Sequence, residues 1–271
     1  MELKGIIFDV DGTLADTEEF HRQAFNKAFT EFDLDWNWSK RDYHDLLAIS
    51  GGKERFRVCL NKDKDLKARI DDVPKFISDL HQCKSEHYRT MLADGKIRLR
   101  PGIERLINEA TREGIMLGIA TSSSEANFLT LIRQTLDVEP DKLFDAIVTS
   151  DIVTDKKPSP VVYQCALAEM GLTADNCIAI EDTTNGNKAA QFAGLQVVIT
   201  THAYTTDNDF SGAALVVNHL GEQDNPNTVR EGDALGKKLV DLELLRHYVA
   251  QQDSNTDVEP FTQPEYASRD A

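Results

Sequence analysis

The pattern that most constrains this chain is a series of short, unbroken apolar runs separated by amphipathic stretches. The runs fall at 3–10 (LKGIIFDV), 115–120 (IMLGIA), 146–149 (AIVT), 177–180 (CIAI) and 195–199 (LQVVI), with a weaker sixth at 214–217 (ALVV). A strand that is apolar at every position is buried on both faces, which is the signature of a parallel sheet covered by helices. Between most of these runs lie segments with apolar residues three and four apart, at 102–113, 124–136, 159–170 and 184–193. Strand alternating with helix predicts an α/β fold: a parallel sheet flanked by helices.

One interval breaks the rhythm. Residues 17–98 contain no convincing strand and instead resemble several polar, amphipathic helices. The expected organisation is therefore a core of residues 1–16 and 99–221 with an all-helical insertion, or cap, at 17–98. Residues 222–271 form an acidic C-terminal extension with one helix at 235–251 and a disordered end over the last twenty residues.

Composition bounds the partners. A formal charge of -16 disfavours nucleic acid and anionic membrane surfaces, so an anionic substrate must be met by local cations. Cys59, Cys83, Cys165 and Cys177 lack the paired spacing of zinc or redox motifs and are expected to be core thiols. The first apolar run is too short for a secretion signal, and no run reaches the length of a membrane span. A cytoplasmic monomer is expected, with neither a nucleic-acid nor a membrane partner.

Ligands of open parallel sheets bind at the carboxyl ends of the strands, so the residues that follow each run carry the chemistry. Asp9 and Asp11 follow the first, in DVDGT; Thr121 and Ser122 follow the second; Lys157 lies before a helix in KKPSP; Glu181 and Asp182 follow the fourth. Singly, each has an ordinary explanation: Asp-Gly as a turn, Thr-Ser or the acidic pair as a helix cap, Lys before Pro as a solvated loop. Their joint occurrence at successive strand ends argues for one site.

Asp9 is placed to attack phosphorus, and Asp11, two residues on, to protonate the leaving oxygen and then deprotonate water. Carboxylates crowding a phosphate require a divalent cation, and oxygen ligands suit Mg2+, held by Asp9, Asp182 and the carbonyl of Asp11. Thr121 and nearby backbone N–H groups would donate to the phosphoryl oxygens, with Lys157 balancing charge.

DVDGTLADTE, the Thr121-Ser122 pair, KKPSP and IEDTTNG resemble, in order, the four motifs of the haloacid dehalogenase superfamily over about residues 3–200. The resemblance implies a Rossmann-like core with a helical cap inserted after the first strand. It also assigns nucleophile, acid/base, hydroxyl, lysine and metal carboxylate to Asp9, Asp11, Thr121, Lys157 and Asp182. Glu181 matches an acid that reaches the metal directly or through water.

In the insertion, Glu18, His21, Tyr43 and the run Gly51-Gly52-Lys53-Glu54-Arg55 look like the CbbY family, phosphatases associated with carbon-fixation operons. That likeness implies xylulose 1,5-bisphosphate as substrate, a role in metabolite repair, and a substrate site formed by Glu18, His21, Tyr43, Gly52, Lys53, Glu54 and Arg55 with Ser122.

Lys53 and Arg55 in so acidic a chain independently favour a second anion, Arg55 gripping it through two N–H groups and Lys53 acting as a point charge. The competing readings are a solvated helix start with surface ion pairs at Lys53 and Arg55, and, for the protein as a whole, a β-phosphoglucomutase-like phosphomutase, another sugar-phosphate phosphatase, a catalytically dead binding domain or a dehalogenase.

Overall fold

The computed structural model describes residues 1–95 and 97–251. The strands are β1 (Gly5–Phe8), β2 (Met116–Ala120), β3 (Ala146–Val148), β4 (Cys177–Glu181), β5 (Gln196–Thr200), β6 (Leu215–Val217) and β7 (Val229–Gly232). They form one sheet in the order β3-β2-β1-β4-β5-β6-β7, and every pairing is parallel except β6 with β7. The chain leaves β1 toward β2 and β3 on one side and then crosses to β4 on the other. The carboxyl end of β1 therefore lies at the topological switch point, where open sheets bind ligands.

Helices α1 (Glu18–Glu31), α2 (Lys40–Leu46), α3 (Gly52–Lys62), α4 (Lys64–Ala68) and α5 (Val73–Ala93) all fall between β1 and β2. α6 (Ile103–Arg112), α7 (Glu125–Leu136), α8 (Val161–Met170), α9 (Thr184–Phe192) and α10 (Leu242–Gln251) cover the sheet. Alternation along each strand sorts its side chains: Ile6 and Phe8 pack with α6, α7 and α10, whereas Ile7 packs with α8 and α9. The inserted helices enclose a separate cluster built on Phe25, Phe29, Trp38, Tyr43 and Phe56. Each such fully buried side chain contributes about 1.5–3 kcal/mol. α5 belongs to both parts, with Ile77 and Leu80 in the aromatic cluster and Tyr88, Met91 and Leu92 in the sheet-side core.

The six foreseen strands and the four foreseen helices of the core lie within a residue or two of their expected bounds. Beyond residue 222 the outcome differs. Val229–Gly232 forms a seventh strand whose four residues are all exposed, so no apolar run marks it. The foreseen helix over 235–251 begins only at Leu242. Leu235 and Gly236 adopt φ of 55° and 73°, outside helical geometry, and the Asp241 carboxylate accepts the Leu244 N–H at 2.9 Å, capping the helix there. α10 then buries Leu242, Leu244, Leu245 and Val249 in the sheet-side core. The expected disorder of the last twenty residues lies outside the described residues. Among the described residues, no helix is long and apolar enough to cross a membrane.

Candidate active site

Asp9 is the first residue beyond β1, where its N–H still donates to the Ile180 carbonyl at 3.0 Å, so its carboxylate emerges at the switch point. Lys157, in the loop before α8, donates from Nζ to Asp9 Oδ1 at 2.6 Å, to Glu181 Oε1 at 2.5 Å and to the Ala120 carbonyl at 2.9 Å. One buried ammonium thus ties together the ends of β1, β2 and β4. Burial works against that charge, but Asp9 and Glu181 outweigh it and push Lys157 above its ordinary value, so it stays protonated.

Glu181 is fully enclosed. Its carboxylate also accepts from the Tyr163 hydroxyl at 2.7 Å and from the Asp182 N–H at 3.0 Å. Gly186 on α9 permits this approach, because a Cβ there would overlap the Glu181 carboxylate. Asp182 Oδ1 accepts from the Thr13 hydroxyl at 3.1 Å, and Oδ2 pairs with His202 Nε2 at 2.8 Å.

Carboxylate oxygens of Asp9, Glu181 and Asp182 lie within 4.8 Å of one another. Burial first, and then the neighbouring carboxylates, push Asp9 well up against the pull of Lys157. Burial likewise raises Asp182 to about 6, although His202 pulls it down. An all-oxygen cluster with more negative charge than Lys157 can offset is the donor set that suits a hard divalent cation. This cluster can hold a metal ion.

Asp11 is gripped from the helical side. Its Oδ1 accepts from Thr17 Oγ1 at 2.7 Å and pairs with His21 Nε2 at 2.8 Å. Thr17 stands at the N-cap of α1 but makes no side-chain cap bond, because its hydroxyl is directed to Asp11 instead. His21 stacks on Tyr88 at 3.9 Å between ring centroids, and its Nδ1 meets Lys84 Nζ at 2.7 Å.

Burial and Lys84 hold the His21 ring below its ordinary value, so it is neutral at pH 7 and donates Nε2–H to Asp11. Burial alone would raise Asp11; the His21 and Thr17 hydrogen bonds and the nearby Lys84 ammonium outweigh it and hold the carboxyl below the usual range.

A cavity of about 370 Å³ opens over these groups, lined by Asp9, Asp11, Thr121, Ser122, Lys157 and Asp182 from the core and by Glu18, His21, Gly52, Lys53, Glu54 and Arg55 from the insertion. Two candidates stand back from it. Tyr43 is fully buried; its hydroxyl donates to Glu18 Oε2 at 2.6 Å and accepts from Arg55 Nη1 at 3.0 Å. Glu181 lies beneath the cavity floor, held by Lys157 and Tyr163.

Arg55 lines the cavity but is anchored there. Nε donates to the Leu46 and Ile49 carbonyls at 3.1 and 2.9 Å, which commits part of the fork foreseen for a second anion. Lys84, Arg89, His81, Lys156 and Asn127 also line the cavity, with His202 and Arg100 beside it, and, His202 apart, none of them stands at the strand ends that marked Asp9, Thr121 and Asp182 in the sequence. Lys84 had a legible signal, lying on the apolar stripe of α5 between Leu80 and Tyr88. Buried Arg100 donates to the carbonyls of Gly12, Thr200, Thr201 and Asn218, joining the chain's return from the insertion to the loop after β1.

A strand-end cluster of buried carboxylates, tied together by one lysine and roofed by a cation-bearing helical insertion, is the arrangement of an enzyme that works on an anionic group in a partly enclosed site. Comparison with known proteins gives the particular family. Residues 6–200 match the family model of haloacid dehalogenase-like hydrolases. Protein CbbY of Cereibacter sphaeroides is 41% identical over 220 residues, covering 81% of this chain and 94% of that protein. Protein CbbY of Rhodobacter capsulatus is 45% identical over 213 residues, covering 79% and 92%. The crystal structure of a CbbY mutant from Rhodobacter sphaeroides in complex with xylulose-(1,5)bisphosphate superposes with a TM-score of 0.73 at 39% identity, covering 82% of this chain and 98% of that one. The chain belongs to the haloacid dehalogenase-like hydrolase family, as a phosphatase of the CbbY group.

Proposed function

We propose that this protein is a magnesium-dependent phosphatase that hydrolyses a small sugar bisphosphate, xylulose 1,5-bisphosphate to xylulose 5-phosphate, through an aspartyl-phosphate on Asp9. The observation that carries the reading is the distribution of cations around one cavity. Lys157 is bonded to Asp9 at the core end, while Lys53, Arg55, Lys84, Arg89 and Lys156 line other parts of the same wall. One phosphate needs the first; Lys84 is taken up by His21 and part of the Arg55 fork by main-chain carbonyls, and a second phosphate accounts for the cationic groups that remain. The bisphosphate named for the Rhodobacter sphaeroides complex has that shape.

Asp9 attacks phosphorus as the bond to the sugar oxygen breaks, and Asp11 gives that oxygen its proton. Its hydrogen bonds keep Asp11 ionised, so a proton from solvent settles on it as the negative charge of the arriving phosphate raises its pKa. The resulting carboxylate then removes a proton from water, which attacks the phosphoryl group and releases Asp9. Asp9, Asp182 and the Asp11 carbonyl would hold Mg2+, which supplies positive charge to the phosphoryl oxygens when bound. Lys157 keeps Asp9 oriented, and Thr121 and Ser122 donate to the transferring group. Closure of the insertion excludes bulk water.

The test is inorganic phosphate release from xylulose 1,5-bisphosphate and from sugar monophosphates, with Asp9→Asn and Arg55→Ala alongside. The bisphosphate should be hydrolysed preferentially, Asp9→Asn should be inactive, and Arg55→Ala should lose the preference. Equal rates on both substrate classes, or an isomerised product without free phosphate, would sink the reading.

A further inference from the structure

The turn after β5 joins two parts of the molecule that the proposed reaction needs to bring together. Its first contact is with a carboxylate of the metal-compatible cluster. His202 Nε2 lies 2.8 Å from Asp182 Oδ2, and the ring's other nitrogen, Nδ1, accepts the Tyr204 N–H at 3.3 Å. A nitrogen that accepts carries no proton, so Nε2 bears the hydrogen and donates it to Asp182. The turn is braced from within: the His202 N–H donates to Thr205 Oγ1 at 3.1 Å and the Thr205 N–H to the His202 carbonyl at 2.9 Å. With Thr13 on Oδ1 and His202 on Oδ2, both oxygens of Asp182 are oriented by donors. Gly12, at φ +88°, leaves room for this, since a Cβ there would collide with both the Asp182 carboxylate and the His202 ring.

The second contact is with the insertion. Two residues beyond His202, Tyr204 donates its hydroxyl to Glu19 Oε2 on α1 at 2.5 Å. Its ring packs edge-on to Tyr43 at 5.7 Å and belongs to the aromatic cluster of the inserted helices, not to the cores of the sheet. A displacement of the insertion therefore either extracts Tyr204 or carries the turn, and His202 with it.

We propose that residues 201–205 couple seating of the helical insertion to the orientation of Asp182, with His202 as the positioning residue for that carboxylate and Tyr204 as its link to α1. The inference rests on the reading of Asp182 as a magnesium-holding residue. Partners that orient a metal-holding group from behind typically contribute about 10- to 100-fold in metal affinity, which sets the scale of the effect.

The experiment titrates Mg2+ calorimetrically into the metal-free full-length protein, comparing wild type with His202→Ala, His202→Gln and Tyr204→Phe, each verified as folded by circular dichroism. His202→Ala should weaken Mg2+ by about 10- to 100-fold. His202→Gln, whose side-chain amide still offers an N–H to Asp182, should recover most of that loss. A merely structural role for the ring would not be rescued in this way. Tyr204→Phe, which loses only the hydroxyl, should weaken Mg2+ measurably in the same direction. Wild-type affinity in either His202→Ala or Tyr204→Phe overturns the coupling while leaving the functional reading intact. Absence of Mg2+ binding by the wild type overturns both.

Discussion

Lys84 is a charge at a position that helix periodicity reserves for apolar residues. It sits on the buried stripe of α5, four residues from Leu80 and from Tyr88, with Nζ 4.8 Å from the Phe25 ring centroid and 5.0 Å from that of Tyr88. Burial is the chief reason its ammonium is held down to about 8, with the attraction of Asp11 opposing it. In the unfolded chain the same lysine titrates near about 10.4. Between those values the unfolded state binds more protons than the folded one, so this residue's contribution to stability rises with pH across the window. Urea unfolding of wild type and Lys84→Met should therefore show the difference, wild type minus variant, increasing from about pH 7 to about pH 10. A difference that stays flat or falls contradicts a depressed Lys84. The same geometry assigns Lys84 a task at Asp11, because its hydrogen bond fixes which His21 nitrogen carries the proton.

At the scale of elements, legibility followed burial. β1, β2, β4 and β5 are enclosed almost throughout, so their apolar runs and the polar residues at their ends could be read directly. Asp9, Asp11, Thr121, Lys157 and Asp182 line one cavity. His202 lies two residues beyond β5 on the same sheet edge, so its place at a strand end carried the same signal. Arg100 and Tyr163 had no comparable marker, since neither ends an apolar run and their partners, chiefly main-chain carbonyls with Asp16 for Arg100 and the Glu181 carboxylate for Tyr163, lie well away from them in sequence. β7 was invisible because an exposed antiparallel edge strand needs no apolar residue, only backbone pairing with β6. α10 is a different case, amphipathic and foreseen, yet docked onto the sheet-side core rather than trailing from it. Leu245 is fully buried there. Leu245→Ala should cost about 2–5 kcal/mol, read from the urea midpoint at unchanged slope. A loss below about 0.5 kcal/mol, the range of ordinary surface substitutions, would mean that α10 is dispensable to the core.

For the molecule as a whole, charge raises a question that neither the fold nor the site answers alone. The chain carries a formal charge of -16, while the cavity that would take a doubly anionic substrate is lined by Lys53, Arg55, Lys84, Arg89, Lys156 and Lys157. The two fields act over different distances. At about 0.01 M salt the screening length is about 30 Å, so an approaching anion feels the repulsion of most of the surface; at about 0.15 M it is about 8 Å. Groups inside a partly enclosed cavity are screened far less than exposed surface charges. Adding salt over that range should therefore remove the long-range repulsion before it weakens the local attraction, and kcat/KM for a bisphosphate should rise between about 0.01 and about 0.15 M. The gain should be smaller for a monophosphate of the same sugar, whose lower charge makes the repulsion weaker. Lys156→Met, which removes one cation from the wall, should lower kcat/KM at every salt concentration while keeping the upward slope. A kcat/KM that falls steadily from the lowest salt would instead mean that the cavity cations govern the encounter even when the whole acidic surface is felt. Substrate capture would then be set at the mouth of the cavity alone.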